Sequence, residues 1–429
     1  MQEHYDILMV GAGLSNAALA ALLSVRGYSI LMVDARKDVG GNCHTTEMGG
    51  ITVHDYGAHI FHTSNEEVWR FANKYDNFIP FVNSPVARAK LSDKMKKWLY
   101  PENSAPDYLY LNMPFNMNTF SKIWWNMSPG RIIDRFKHSV DQFCKGNPQP
   151  TYRNLEEKAI GMVGEVLYEL LVKGYTEKQW GKPCSELPAD GIINRLPVRF
   201  NWDNNYFNDK YQGMPEHGYT SWINEMIHGP FSKVDVLMGV NYLDDRAQLD
   251  AKADIVFYSG RLDDLFDRDM GELPFRSLKF TVEDKATYES FQGVPVMNYT
   301  TDDVPYTRTI EHRLFCPWKG NPGHTVVSTE YPAEMKPGAE PYYPVNNAES
   351  DKLYNAYAER LVNLDNKICP TGRLGLFKYM DMDDCIEKAI EMDNRIAKGV
   401  TIAEEYLGTD TPPSRKIQML KRALSIQLK

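Results

Sequence analysis

The chain has 429 residues, 43% of them hydrophobic and 24% charged, and a formal net charge of −9. That length suits two or three domains with well-buried cores. The acidic balance argues against nucleic acid as a partner, so any phosphate recognition must come from local arginines.

No apolar run reaches the roughly 18 residues of a membrane-spanning helix, so no membrane association is expected. The first residues carry no signal-peptide pattern. Six cysteines (Cys43, Cys144, Cys184, Cys316, Cys369, Cys385) form no CxxC pair, which reads as reduced thiols and a cytoplasmic location. Tyr5–Val10 is a short apolar run, fit for a strand buried on both faces. Gly11-Ala12-Gly13 predicts a tight turn, followed by an Ala-rich helix from about Leu14 to Arg26 that Gly27 ends. A second strand, Tyr28–Val33, finishes on Asp34, 21 residues after Gly13. In such a βαβ unit backbone N–H groups approach a pyrophosphate at the helix N-terminus, and the acidic residue holds a ribose 2′-OH. Asn16 replaces the third fingerprint glycine, a larger and polar residue where close helix–strand packing is expected; Ala17 and Ala18 are small enough to relieve it. The second glycine turn, Gly40-Gly41-Asn42, favours FAD over a nicotinamide.

His54, His59 and His62 follow, at a spacing that fits no common zinc pattern, and no metal is expected. Two readings stand: core histidines of a strand and loop, or a loop closing over a flavin with His59 near the ring. Lys90–Asp107 is charged, then rich in Pro, Asn and Ser, as a surface insertion or boundary would be. From LNMPFNMNTFSKIWW to about Gly146 the chain looks helical. A marked helix comes next, capped by Asn154 with Glu157 three residues on, striped by Ile160, Val163, Leu167, Leu170 and Leu171, and ended by Gly174. GYTEKQWG then presents Tyr175 and Trp180 in a stretch too polar for core. Leu196–Tyr219 alternates aromatic and polar residues as strands do, with Arg195, Arg199 and Tyr206 in or beside it.

VDVLMGV and ADIVFYSG read as strands returning to the first domain. Strands resume in RSLKFTVED and VPVMNYT, and VPYTRTIEH carries Arg308 beside Glu311 and His312. PYYPV offers Tyr342 and Tyr343, a helix covers about 350–364, and GRLGLFKYMDMDD holds Arg373, Tyr379 and Asp381. The tail is helical and peripheral past Thr411. Arginines 195, 308 and 373, not offset by nearby carboxylates and set among exposed tyrosines 175, 206, 342, 343 and 379, suit a diphosphate-linked substrate. Taken singly, each arginine reads more readily as a surface ion pair. No Ser-His-Asp or Cys-His nucleophile, HExxH or P-loop is evident.

YGAHIFHT, LNMPFNMNTF, KGYTEKQWG, SELPADGIINRLPVRF, DNNYF, KYQGMPEHGYT, VPYTRTIEH, EPYYPV and GRLGLFKYMDMD, in that order between Tyr5 and Ile390, closely resemble the bacterial UDP-galactopyranose mutase family. The resemblance implies an isomerase that interconverts UDP-galactopyranose and UDP-galactofuranose for cell-surface polysaccharide biosynthesis. It implies reduced FAD, whose N5 attacks the anomeric carbon and forms a flavin–sugar iminium. NAD(P)H or another reductant and a homodimer are implied as well. Residue by residue, it puts Arg195 and Arg308 on the diphosphate and Tyr175 and Trp180 at the substrate, with Tyr175 at the uracil. Tyr206 and Tyr343 are implied at the phosphates, Asn83 at the substrate, and Tyr379 and Asp381 near flavin and substrate. Gly11, Gly13, Asp34, Gly41, Asn42, His59, Arg373 and Asp381 are implied at the cofactor. Residues 181–191, behind Trp180, should be a mobile loop. Asn16, Phe377 in place of a tyrosine (one hydrogen bond fewer) and a longer Lys94–Asp107 stretch depart from the pattern.

The expected fold is α/β: a discontinuous Rossmann-like FAD domain (1–85, 228–275 and 350–429), a helical domain (105–185, with the loop to 191) and an antiparallel β-sheet domain (86–104, 192–227 and 276–349). The rivals are an amine oxidase-like flavin oxidoreductase and a non-catalytic FAD-fold binding protein of the GDP dissociation inhibitor type.

Overall fold

Tyr5–Val10 is the middle strand of a five-stranded, all-parallel sheet in the computed structural model, with Ile30–Asp34 and then Val234–Met238 on one side, Ala253–Tyr258 and then Ile368–Pro370 on the other. The structure describes every residue except 101–104, 190–196, 231, 287–289, 321–322, 364–367 and 408–429. The first strand is apolar apart from Asp6, whose carboxylate accepts from Ser29 N and Ser29 Oγ, because both its faces are covered. Ile7 and Met9 join a core under the helices Leu14–Val25, Tyr219–His228 and Met382–Leu407. Leu8 and Val10, one residue out of phase, join a second core with Tyr258, Leu262 and Tyr357.

The second large sheet runs in the order Tyr343–Pro344, Phe275–Ala286, His324–Glu334, Arg308–Glu311, Val296–Tyr299, Val86–Lys90, Tyr108–Asn112. Its pairs are antiparallel except Val296–Tyr299 with Val86–Lys90. Several elements lie outside the expected division, among them Tyr211–Pro215, expected in the sheet domain, which pairs instead with Phe61–Thr63 and Phe78–Pro80. Tyr108–Asn112 is an edge strand of this sheet, not part of a helical unit. Tyr219–His228 packs on Leu14–Val25 and buries Trp222 in the first core.

Other expectations are corrected by contacts distant in sequence. Asn154 does cap a helix, accepting from Glu157 N at 3.0 Å, but Leu155–Val163 breaks at Gly164 (φ 80°). Helical chain then resumes and runs through Gly174 to Trp180, where Gly181 (φ 66°) ends it. Gly174 is not a terminator: a Cβ there would sit 2.6 Å from Thr300 O, so glycine is needed for close approach of the 300–301 backbone. Of the expected strand-like stretch Leu196–Tyr219, Tyr211–Pro215 is a strand, but Asn201–Lys210 forms none. Asn116 Nδ2 donates to Asp203 O (2.6 Å), and Arg199 binds Asn205 O and Asn208 Oδ1, so side chains take the backbone and loop groups that a ladder would use. Ser92 caps a helix, Asp93–Leu99, whose Met95 and Leu99 are buried, inside the expected surface insertion. Residues 101–104 of that insertion and the tail past Thr411 lie outside the described residues. Among the described residues no helix is long and apolar enough to cross a membrane.

Candidate active site

The two glycine turns at the C-terminal edge of the parallel sheet form a cradle. Gly11 has φ 96° and donates to Val33 O at 2.8 Å. Gly40 N donates to Ala12 O at 2.9 Å, and a Cβ on Gly41 (φ 56°) would lie 3.1 Å from Gly13 Cα, so the turns touch backbone to backbone. Gly13 N-caps the Leu14–Val25 helix without a side-chain cap, which leaves first-turn N–H groups for an anion. Asp34 braces the turn, Oδ2 accepting from Ala12 N (2.7 Å) and Oδ1 from Arg36 N (2.8 Å).

Asn16 does not crowd this turn; it ties it. Fully buried, it donates from Nδ2 to Val10 O and Gly11 O, both at 2.9 Å, and accepts at Oδ1 from Thr371 Oγ1 at 2.7 Å. Arg36, which nothing in the sequence singled out, reaches Asn42 Oδ1 (2.9 Å) and Glu340 Oε2 (2.6 Å) and lies 4.5 Å over the Tyr56 ring. Its NH1 is buried without a partner.

The second end of the site is built on the mixed sheet. Arg308 and Glu330 are cross-strand partners, with Nε and NH2 of the arginine each 2.7 Å from Glu330 Oε2. Thr307 Oγ1 donates to the other carboxylate oxygen at 3.0 Å. Burial disfavours the Arg308 charge, but Glu330, with the Tyr175 and Tyr343 phenols beyond it, raises its pKa further still. The expectation of an arginine not offset by a carboxylate therefore fails at Arg308. Its partner is Glu330, whereas Glu311 accepts from the Ser290–Gln292 turn and His312 bonds Ser328. Arg373, by contrast, has no carboxylate partner among the described residues.

Tyr343 stacks on Tyr379, centroids 5.8 Å apart and planes 5° from parallel. Burial pushes the Tyr175 phenol up to about 12 and raises Tyr343 as well, so both are protonated donors at neutral pH. Tyr342, expected exposed, is buried against Phe280 and Tyr56. His59 hydrogen-bonds through Nδ1 to Gly57 O at 2.7 Å, which puts the proton on Nδ1 and leaves Nε2 a lone pair. Burial first, then the Arg373 charge, push it down to about 4. His54 stacks on Phe315 (4.8 Å), and His62 pairs with Asp209 (2.7 Å), so the three histidines point to separate partners. Asn83 has a buried Oδ1 with no partner, and its carbonyl accepts from Tyr206 N at 2.8 Å.

The cradle and the sheet end share one cavity of about 1420 Å³. It is lined by Gly11, Gly13, Asp34, Gly41, Asn42 and Arg36 at the cradle, and by Tyr175, Trp180, Tyr206, Arg308, Tyr343 and Asn83 at the sheet; His59, Arg373, Tyr379 and Asp381 also line it. A single small-molecule site takes roughly 300–1,000 Å³, so this one exceeds the room of one such ligand. Trp180 is the last residue of its helix rather than part of a loop, and Glu177 holds Cys184 N at 3.1 Å in the turn that follows. Arg195 and residues 190–191 lie outside the described residues. Phe377 faces away, into the core against Tyr354 and Phe275, so a tyrosine there would find no site hydrogen bond to make. Arg199 holds its loop and does not line the cavity.

Residues 9–75 match the family model of the NAD(P)-binding Rossmann-like domain, and residues 170–379 that of UDP-galactopyranose mutase. The chain is 36% identical over 392 residues to the dTDP-fucopyranose mutase of Escherichia coli, covering 90% of this chain and 96% of that one. It is 36% identical over 404 residues to the probable UDP-galactopyranose mutase of Klebsiella pneumoniae, covering 93% and 97%. A crystal structure of reduced UDP-galactopyranose mutase shares the fold, with a TM-score of 0.64 over 96% of this chain and 97% of that one at 14% identity. A Rossmann cradle and a mutase-type second half on one cavity, with relatives aligned end to end, leave one assignment: the chain belongs to the UDP-galactopyranose mutase family, a family of isomerases.

Proposed function

We propose that this protein interconverts UDP-galactopyranose and UDP-galactofuranose with reduced FAD bound along the two glycine turns. The observation that carries the reading is Arg308: a guanidinium fixed by Glu330 and set among protonated tyrosines, in the same cavity as the dinucleotide cradle. The cradle fits FAD, because the touching glycines expose backbone, the helix start is uncapped, and the orphaned Arg36 NH1 needs an anionic or polar partner. Bound and reduced, FAD supplies an electron-rich N5 as nucleophile for the anomeric carbon, with UDP leaving and returning and no net redox change.

The chain's own groups hold and orient. Arg308 keeps NH1 for the diphosphate while Glu330 fixes its other nitrogens, and the Tyr206 and Tyr343 hydroxyls donate to phosphate oxygens. Tyr175 lies along the uracil, and Asn83 Oδ1 accepts from the substrate. Neutral His59, Arg373, Tyr379 and Asp381 stand beside the flavin. Family likeness assigns Arg195 a second phosphate contact and Trp180, with the residues after it, a closing role over the diphosphate. The reading carries with it a cytoplasmic homodimer reduced by NAD(P)H or another reductant.

A second sugar nucleotide, dTDP-fucopyranose, is favoured by the identity to the Escherichia coli relative of that name. The same diphosphate grip serves both, so the test compares substrates. Dithionite-reduced protein is incubated with UDP-galactofuranose or dTDP-fucofuranose, and the pyranose is followed by chromatography. Arg308→Ala should lose about 100-fold or more in kcat/KM, the cost of removing a buried ionic contact, and keep its flavin. Near-normal turnover in that variant would refute the grip. Oxygen uptake with a net oxidised product would point to an oxidoreductase instead, and a colourless protein that cannot be loaded with FAD to a binding module.

A further inference from the structure

Lys178 lies on the helix Lys173–Trp180, one turn after Tyr175, and its ammonium enters the turn that precedes Arg308. Nζ donates to Tyr299 O (2.8 Å), Thr301 O (2.8 Å) and Tyr306 O (2.9 Å), with Val304 O at 3.3 Å. Three short bonds match the three N–H donors of an ammonium. No carboxylate is in ion-pair range of Nζ among the described residues; Asp302, Asp303 and Arg88 act only from farther off. Burial pushes the group down to about 8, so it is still charged at neutral pH, and the carbonyl cage is what satisfies it.

Other contacts press the same two elements together. Gly174 allows the helix backbone to reach Thr300 O and Thr300 Oγ1 donates to Leu170 O at 2.7 Å, while Arg276, on the strand Phe275–Ala286, ties Gln179 O of the helix to that strand at 2.9 Å. None of these determines how the 301–306 backbone curls before it delivers Arg308, whereas Lys178 gathers four carbonyls of that turn at one point. Tyr175 is three residues before Lys178, and Arg308 two residues after Tyr306. The lock therefore spans both walls of the site proposed for the nucleoside diphosphate.

We propose that Lys178 is a positioning residue that sets the distance between Tyr175 and Arg308, and thereby the fit of a nucleoside diphosphate between them. This rests on the mutase reading of the cavity. The group does not touch substrate, so its loss should weaken nucleotide binding more than it slows turnover of bound substrate.

The test uses FAD-loaded full-length protein and UDP as the probe, by calorimetric titration, together with kcat and KM for UDP-galactofuranose after dithionite reduction. Lys178→Met, which keeps the stem and removes the donors, and Lys178→Ala should each raise the UDP Kd and the KM at least tenfold. kcat should change less than threefold and the flavin spectrum not at all. Ethylammonium added to Lys178→Ala should restore part of the UDP affinity, because it returns an N–H cation to the carbonyl cage, and tetramethylammonium, which has no donors, should not. A UDP Kd within twofold of wild type in either folded variant would overturn the proposal. So would variants that cannot take up FAD, which would assign Lys178 to the fold, and so would equal rescue by both cations. Wild-type protein that takes up FAD but binds no UDP would refute the mutase reading itself, an outcome that separates the two.

Discussion

Replacing Asn16 with the glycine of the dinucleotide fingerprint should destabilise this protein. The naive expectation is the reverse, since glycine relieves helix–strand crowding in a G-x-G-x-x-G turn. Here the amide makes three buried hydrogen bonds, two to the carbonyls of Val10 and Gly11 and one from Thr371. Val10 O keeps two donors, Ser259 N at 3.0 Å and Ser259 Oγ at 2.9 Å, so it is not orphaned. Gly11 O and Thr371 Oγ1 lose the partner, at about 1 kcal/mol for each bond and more where the remaining group stays buried. Glycine in the first helical turn adds about 0.5–1 kcal/mol. The sum is about 3 kcal/mol for Asn16→Gly and somewhat less for Asn16→Ala. Urea unfolding of the FAD-loaded protein, followed by tryptophan fluorescence, measures it. An Asn16→Gly midpoint at or above wild type would show that the amide network contributes nothing and that the fingerprint logic governs this turn.

Glu330→Gln should cost about 3 kcal/mol of stability, the usual penalty for breaking a buried ion pair, yet keep measurable UDP binding, since the amide oxygen still accepts from Arg308 and the guanidinium gains net charge as it loses part of its fixed direction. Loss of UDP binding as complete as in Arg308→Ala would contradict this. Acid should also destabilise the fold through its histidines. His59, His312 (down to about 3) and His54 (well below its ordinary value) are held neutral, chiefly by burial. Between pH 6.5 and about 4 the unfolded chain binds these protons and the folded chain does not. Stability is thus complete above 6.5 and falls as pH drops, by about 1.4 kcal/mol per pH unit for each histidine. Denaturant midpoints that do not move between pH 7 and 5 would refute it.

The first forty residues were legible because their causes are local. A turn that needs positive φ at Gly11, a short apolar run buried on both faces and an acid at the strand end are all written within one βαβ unit. Asn16 was not legible, because its partner Thr371 lies 355 residues away. Gly174 carries the same local signal as a helix stop, and only the approach of Thr300 reveals its purpose. The long motifs named Arg308 and the tyrosines, but nothing in them states which strand lies beside Arg308. Glu330 and Lys178 were therefore invisible: cross-strand register and the path of a hairpin are tertiary facts.

That pairing changes what the arginine does. A free guanidinium would attract an anion from a distance but would surrender up to about 2 kcal/mol of rotamer entropy on gripping it. Arg308 has already spent that freedom in folding, on a Glu330 that is 1% exposed. The pair carries no net charge, so long-range attraction of a diphosphate has to come from elsewhere, as from Arg373, which has no carboxylate partner among the described residues. Arg308 supplies direction instead, which is the contribution a reaction needs when its leaving group must return to the same carbon it left.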